Sequence, residues 1–148
     1  MLWKKVKKEL KYQIEPSSVK IYGSDICSKS VQIAKLSASQ ASVDDIVFVD
    51  QGDFFKKKKF LNEGIIISNP PYGERLKEQD IINFYKELGN TFKRDYTGFK
   101  AWIISSNFKA LKFIGLKPSK KIPVKNGALD CKFQKYEMYL GSKKVAKN

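Results

Sequence analysis

The sequence predicts an α/β fold with a mostly parallel sheet that closes in a C-terminal antiparallel hairpin. Three observations predict it. Short, continuous apolar runs such as Ile46–Val49 and Gly64–Ser68 are typical of strands buried on both faces of a parallel sheet. These runs alternate with segments of helical periodicity, which is the order that βαβ units produce. Near the C-terminus, Asn126-Gly127 separates two strand-like segments and is a hairpin signal.

Apolar residues at helical spacing predict three main helices. The first is amphipathic and runs from Leu2 to about Tyr12, before Pro16 breaks the pattern. The second is expected to begin with Ser28 as its N-cap. The apolar positions of this second helix are Val31, Ala34, Ala38 and Ala41, and a third helix is marked by Ile81, Tyr85, Leu88 and Phe92. In addition, a short helix is expected to begin at Asn107 and to end at Gly115.

Six segments read as strands because they are short, rich in β-branched or aromatic residues, and bounded by turn residues. The last two form the predicted hairpin, and the others are expected to lie in parallel. The predicted strands are Val19–Tyr22, Ile46–Val49, Gly64–Ser68, Ala101–Ile104, Lys121–Lys125 and Cys131–Tyr139.

The composition narrows the class of protein. The 148 residues carry 29 Lys and Arg against 15 Asp and Glu, a net charge of +14, and a domain this basic favours polyanions such as nucleic acid. A general bias toward lysine on a solvated surface is the alternative. With two cysteines and no histidine, no metal site is expected and the commonest general base is absent. No apolar run is long enough to span a bilayer and no secretory signal is visible, so we expect a cytoplasmic protein.

Two acidic residues follow successive predicted strands. In open α/β sheets, ligands bind at the carboxyl ends of the strands. Asp25 follows the first strand, where a carboxylate can accept both hydroxyls of a ribose, or can equally stabilise the start of the next helix. Asp53 follows the second, where it can accept a hydrogen bond from an adenine amine while Phe54 packs on the ring. Alone, Asp53 is better explained as an Asx turn, but its position beside Asp25 weakens that explanation.

Asn69-Pro70-Pro71-Tyr72, directly after the third strand, is the strongest chemical signal. Two prolines make the segment rigid and remove backbone donors. The Asn69 side-chain oxygen and the Pro70 carbonyl can then hold both N–H bonds of an amino group and aim its nitrogen at an electrophile. Tyr72 offers a ring on which a flipped base can stack. A simple strand-terminating turn is the weaker explanation. The motif therefore predicts methylation of an exocyclic amine on a nucleic-acid base.

The charged residues near this motif are less specific signals of function. Arg75 could hold a phosphate or the base, and Glu74 could pair with it, although an ordinary exposed ion pair is equally consistent with the sequence. The block Lys56–Lys59 could contact RNA phosphates, but a solvated loop explains it better.

Asn69 to Leu76 reads Asn-Pro-Pro-Tyr-Gly-Glu-Arg-Leu and resembles the motif of bacterial THUMP-associated ribosomal RNA guanine-N2 methyltransferases, once labelled N6-adenine-specific DNA methylases. Asn126 to Cys131 resembles the segment that joins that family's last two strands. The resemblance covers about Ile21 to Tyr139. It implies a Rossmann-like class I methyltransferase fold and S-adenosylmethionine as the methyl donor. It also implies roles for particular residues: cofactor binding for Asp25, Ile26, Asp53, Phe54 and Asn69, catalysis for Asn69, Pro70, Pro71 and Tyr72, and substrate binding for Tyr72, Glu74 and Arg75.

The chain departs from the family's pattern at its beginning. The family's first strand and its Gly-rich loop should precede Asp25, yet only Gly23 occurs there and no Gly-x-Gly is present. We therefore predict a single partial methyltransferase domain over residues 1–148, with an N-terminal helical insert at 1–16 and a portion of the catalytic core at 19–140. The missing half would come from upstream sequence or a second copy, and the isolated chain is expected to bind cofactor weakly.

Three hypotheses for function follow. The first is methylation of guanine N2 in large-subunit ribosomal RNA, with this chain as a fragment of the enzyme. The second is N6-adenine methylation of DNA or RNA, because the four-residue motif serves both amines. The third is an inactive fragment that only binds RNA or pairs with another chain.

Overall fold

A computed structural model of the protein describes residues 2–11, 18–73 and 77–139. The chain divides into two compact units, Met1–Lys57 and Lys58–Asn148, which are described separately. The elements are α1 (Leu2–Lys11), β1 (Ile21–Asp25), α2 (Ser28–Gln40), β2 (Val47–Gln51), β3 (Gly64–Ser68), α3 (Glu78–Asp95), β4 (Phe99–Ser105), a short 3₁₀ helix (Ala110–Ile114), β5 (Lys120–Asn126) and β6 (Leu129–Glu137). None of the described helices is long and apolar enough to cross a membrane.

The first unit contains a βαβ arrangement. Strands β1 and β2 pair in parallel, with Ile21 opposite Val47. Helix α2 connects them and buries Val31 and Ala38, two of the predicted small apolar positions. Ser28 is the first residue of α2 and not its N-cap, so that prediction is wrong: Cys27 occupies the N-cap without a side-chain hydrogen bond. Its backbone N–H is instead taken by the Asp25 carboxylate at 2.7 Å.

The second unit is a four-stranded sheet in the order β3-β4-β6-β5. Strands β3 and β4 are parallel, whereas β6 runs antiparallel to both β4 and β5. The predicted parallel strands and closing hairpin are therefore confirmed. The hairpin's second strand lies next to β4, so its first strand, β5, forms the outer edge of the sheet.

Helix α3 supplies most of the core of the second unit. The residues predicted from helical spacing are all buried: Ile81, Tyr85, Leu88 and Phe92. Each large apolar side chain buried in this way contributes about 1.5–3 kcal/mol. Gly89 brings α3 very close to the 3₁₀ helix, because a Cβ at this position would lie 1.8 Å from the carbonyl oxygen of Ile114. Only glycine permits this approach.

The β3 side of the sheet is open. Among the described residues, β3 pairs with β4 alone. Ile65 and Ile67 are 67% and 72% exposed, although their sequence pattern is that of a buried strand. Within the part of the chain that the structure describes, β3 thus presents an unpaired backbone edge and two exposed apolar side chains.

Candidate functional site

The Asn-Pro-Pro-Tyr motif begins at the residue that follows β3, at the carboxyl end of the strand. Asn69 is exposed, Pro70 is buried, and Tyr72 is half-buried. Three side chains hold the segment. They come from α3, from the end of β4 and from the end of β5, and each makes one hydrogen bond to the motif.

Tyr85 of α3 holds the middle of the motif. Its hydroxyl lies 3.4 Å from the Pro71 carbonyl oxygen, to which it donates, and 2.6 Å from the hydroxyl of Ser105. Tyr85 and Ser105 are both fully buried. Burial raises the pKa of Tyr85 to about 12, so the phenol keeps its proton and remains a donor at neutral pH.

Asn107 holds the next carbonyl. Its side-chain nitrogen donates to the Tyr72 carbonyl oxygen at 2.9 Å, while its side-chain oxygen accepts the N–H of Ala110 at 2.8 Å. Its backbone N–H donates to the Ser105 hydroxyl at 3.0 Å. The end of β4 is therefore a hydrogen-bonded support for the motif.

The Tyr72 ring is placed by the hairpin. Asn126, the last residue of β5, donates its side-chain amide to the Tyr72 hydroxyl at 3.3 Å. Burial raises the pKa of Tyr72, so its phenol is neutral at physiological pH.

These contacts leave a distinct pair of acceptors free. The carbonyls of Pro71 and Tyr72 are both engaged, by Tyr85 and Asn107. In contrast, the Asn69 side chain and the Pro70 carbonyl make no hydrogen bond to any residue that the structure describes. These are the two acceptors that the sequence predicts to hold an amino group.

The first unit carries the predicted acidic residues. Asp25 is the last residue of β1, and its carbonyl accepts the Gly52 N–H at 3.0 Å, which joins the ends of the two parallel strands. Asp53 follows β2 at the same end of the two-stranded sheet. Ile26, which follows Asp25, is 71% exposed, and its carbonyl accepts the Gln51 side-chain amide at 3.1 Å. The structure thus brings Asp25, Ile26 and Asp53 to one end of this sheet.

Asp53 also forms the Asx turn that its sequence suggests. One carboxylate oxygen accepts the Phe55 N–H at 2.9 Å, and the other lies 3.6 Å from the Lys56 ammonium. Asp25 uses one oxygen for the Cys27 N–H. Each carboxylate keeps acceptor capacity beyond these local bonds, which fits ribose hydroxyls and an adenine amine. Phe54 is half-buried beside Asp53.

Some predicted features lie elsewhere. Glu74 and Arg75 fall outside the residues that the structure describes. Lys57 of the lysine block pairs with Asp50 at 3.7 Å, and Lys59 donates to the Thr97 carbonyl at 3.3 Å, so at least these two lysines have local structural roles. Within the described residues, no group of three Cys, Asp or Glu side chains could hold a metal ion.

Sequence reasoning missed the roles of the supporting residues. The sequence presents Tyr85 as an apolar position of α3 and Asn107 as a helix cap. It presents Asn126 as part of a turn and of the segment that resembles the family's connection between its last two strands. The sequence does offer one signal for Asn107: the polar run Ser105-Ser106-Asn107 stands at the end of a predicted strand. The carboxyl ends of parallel strands meet at one edge of a sheet, so this run is expected near the motif that follows β3.

Comparison with known proteins identifies this arrangement. Residues 1–135 match UPF0020, the RMKL-like methyltransferase domain. The chain is 34% identical over 146 residues to ribosomal RNA large subunit methyltransferase K/L of Shewanella amazonensis, and 32% identical to that of Shewanella baltica, covering 95% of this chain in each case. It spans only 21% of the length of these relatives.

Solved structures agree. A possible methylase from Clostridium difficile 630 superposes with a TM-score of 0.81 at 35% identity, covering 95% of this chain and 38% of that one. SMU.472, solved in complex with SAH, superposes with a TM-score of 0.82 at 27% identity, covering 94% of this chain and 37% of that one. The fold is the Rossmann-like fold of class I methyltransferases. The chain belongs to the RMKL-like methyltransferase domain family.

Proposed function

We propose that this domain transfers a methyl group from S-adenosylmethionine to the exocyclic N2 amine of a guanine in large-subunit ribosomal RNA, as part of a longer enzyme that works in the cytoplasm. The observation that carries the proposal is a pair of acceptors, the Asn69 side chain and the Pro70 carbonyl, that make no hydrogen bond to any described residue. The next two carbonyls of the segment are held by Tyr85 and Asn107. The ribosomal RNA methyltransferases among its relatives support the choice of substrate.

The motif's own residues would bind and orient the target amine. Asn69 and Pro70 accept its two N–H bonds, which turns the nitrogen lone pair outward and favours the tetrahedral nitrogen of the transition state. Tyr72 offers its ring for stacking on the base. The target nitrogen loses its proton only after the transfer, so no strong base is required in a chain without histidine.

The cofactor would supply the electrophilic methyl group. Asp25 would accept the ribose hydroxyls, Asp53 the adenine amine, and Phe54 and Ile26 would pack on the adenine, with Asn69 also near the methyl group. The acceptor capacity that both carboxylates keep beyond their local bonds supports these roles. Asp53→Asn tests them: the amide oxygen keeps the Asx turn, but its NH₂ cannot accept the adenine amine. In a chimera in which this chain replaces the matching part of the Shewanella amazonensis enzyme, we expect at least tenfold weaker S-adenosylmethionine binding with an unchanged melting temperature.

We further propose that the methionine end of the cofactor is bound by a segment that this chain does not contain, supplied by upstream sequence or by a second copy. No Gly-x-Gly occurs before Asp25, and among the described residues β1 and β3 each pair on one edge only. An unpaired edge with exposed Ile65 and Ile67 is a surface for strand addition. The isolated chain should accordingly bind S-adenosylmethionine weakly, and micromolar affinity by calorimetry would contradict this.

A chimera tests the activity. This chain replaces the matching 146 residues of the Shewanella amazonensis enzyme, and methyl incorporation is measured on undermodified ribosomal RNA. We expect N2-methylguanine as the product, and its loss in Asn69→Ala. The matched control is Asn90→Ala, an exposed asparagine of α3. Methylated adenine would favour the N6-adenine alternative. A folded, cofactor-binding chimera without any methylation would favour an inactive, RNA-binding role.

A further inference from the structure

The β5–β6 hairpin lies against the motif and carries an ordered basic surface. Its contact with the motif is the hydrogen bond from Asn126 to the Tyr72 hydroxyl at 3.3 Å. Since Asn126 ends β5, the residues before it on that strand lead directly away from the Tyr72 ring. Any RNA strand whose target base stacks on Tyr72 must pass near this hairpin.

Lysines share one face of the hairpin. Lys121 and Lys125 are four residues apart on β5 and therefore point to the same side of the sheet. Lys132 of β6 pairs with Pro123, the residue midway between them, so it lies on that same face. Lys121 is exposed and makes no ion pair with any described residue. Lys125 pairs with Asp130 at 3.6 Å, but both side chains are more than 70% exposed, and such pairs are weak.

An aromatic ring accompanies these lysines. Phe108 is 40% exposed, and the Lys132 ammonium sits 4.3 Å from the centre of its ring. Phe108 directly follows Asn107, which holds the Tyr72 carbonyl. Lysines interleaved with an exposed aromatic ring are the combination that binds a single strand of RNA, because the lysines hold phosphates while the ring stacks on a base.

We propose that Lys121, Lys125, Lys132 and Phe108 form an RNA-binding face that holds the strand flanking the target nucleotide. This proposal rests on the proposed function, since it assumes that the target base is presented to Tyr72. The lysines would bind phosphates and Phe108 would stack on a neighbouring base. The high lysine content of the whole chain does not explain why these lysines share one face with an exposed ring that directly follows Asn107.

Binding of a fluorescein-labelled single-stranded RNA to the full chain, followed by anisotropy without cofactor, tests the proposal. Lys121→Ala/Lys125→Ala is compared with Lys29→Ala/Lys35→Ala, which removes the same charge from exposed positions of α2. Each lost phosphate contact lowers the magnitude of the slope of log K against log salt concentration by about 0.7. The double variant Lys121→Ala/Lys125→Ala, called the hairpin pair, should therefore reduce this magnitude by roughly 1.4. We expect about tenfold weaker binding for the hairpin pair and at most about twofold for the control pair.

Phe108 has its own matched pair of variants. Phe108→Leu removes the ring and should weaken RNA binding about fivefold, whereas Phe108→Tyr should bind like the wild type. Circular dichroism melts verify that each variant is folded. Equal losses for the two lysine pairs, or unchanged binding by Phe108→Leu, would overturn the proposal. The proposed function fails separately: if the chimera does not methylate but the hairpin pair still loses affinity, the RNA-binding face stands without it.

Discussion

The side-chain amide of Asn107 donates a hydrogen bond to the Tyr72 carbonyl over 2.9 Å, although 35 residues separate the two in sequence. The same side chain caps the 3₁₀ helix through the Ala110 N–H. One residue therefore fixes both the turn that follows β4 and the motif that follows β3. This double role can be separated experimentally.

Asn107→Ala should destabilise the second unit by about 2 kcal/mol, because it removes a cap and leaves the Tyr72 carbonyl without its donor. Asn107→Asp keeps an acceptor for Ala110 but places a carboxylate against that carbonyl, so it should recover only part of the loss. Urea unfolding measures the stability, and hydrogen exchange at the Ala110 amide measures the cap. Equal protection of that amide in both variants would contradict the assignment.

Tyr85 and Ser105 should behave as a coupled pair. Tyr85→Phe and Ser105→Ala should each cost about 1–2 kcal/mol, because each leaves a buried polar group with one partner fewer. Their double variant should cost less than the sum, by about 1 kcal/mol, in a double-mutant cycle. Tyr22→Phe, at a tyrosine that is 46% exposed, is the control. Strict additivity would show that the 2.6 Å contact contributes no coupling.

Gly89→Ala should be strongly destabilising, by about 3 kcal/mol, even though alanine is the better helix former. Its Cβ would overlap the Ile114 carbonyl, which is backbone and cannot move without shifting the 3₁₀ helix. Gly52→Ala, whose Cβ would meet nothing closer than 3.9 Å, should be nearly neutral. Thermal melts compare them, and a neutral Gly89→Ala would argue against the close approach of α3 and the 3₁₀ helix.

Acid should weaken one contact on the sheet. The Lys135 ammonium, hydrogen-bonded to Glu137 at 2.7 Å, lowers the pKa of Glu137 from 4.5 to about 2. A carboxyl whose pKa is depressed on folding stabilises the protein above its unfolded pKa and loses that effect as the pH falls through the folded one. The stability difference between wild type and Glu137→Gln should therefore be constant above about pH 5 and shrink toward about pH 2. Urea unfolding across that range measures it, and a pH-independent difference would argue against the pairing.

Sequence reasoning found the elements of this fold because its signals are local. Helical spacing located Ile81, Tyr85, Leu88 and Phe92, and all four are buried. The β3 boundaries were predicted as observed, since the apolar run is bounded by glycine and the Asn-Pro-Pro-Tyr motif. Strand ends elsewhere shifted by one to three residues, as with β1, which continues past Tyr22 to Asp25. The side-chain pattern indicates which residues of a strand are buried. Hydrogen-bonded pairing with β2 determines how far β1 extends.

The sequence by itself determined the chemistry of the motif. Two prolines after Asn69 make the segment rigid and remove two backbone donors, whatever surrounds them. It could not determine which of those acceptors remain available, because that depends on residues distant in the chain. Only the tertiary structure brings Tyr85, Asn107 and Asn126 to this segment, where they engage Pro71 and Tyr72 and leave Asn69 and Pro70 free among the described residues. Hydrogen bonds require contact within about 3 Å, and contact of that kind is decided by packing.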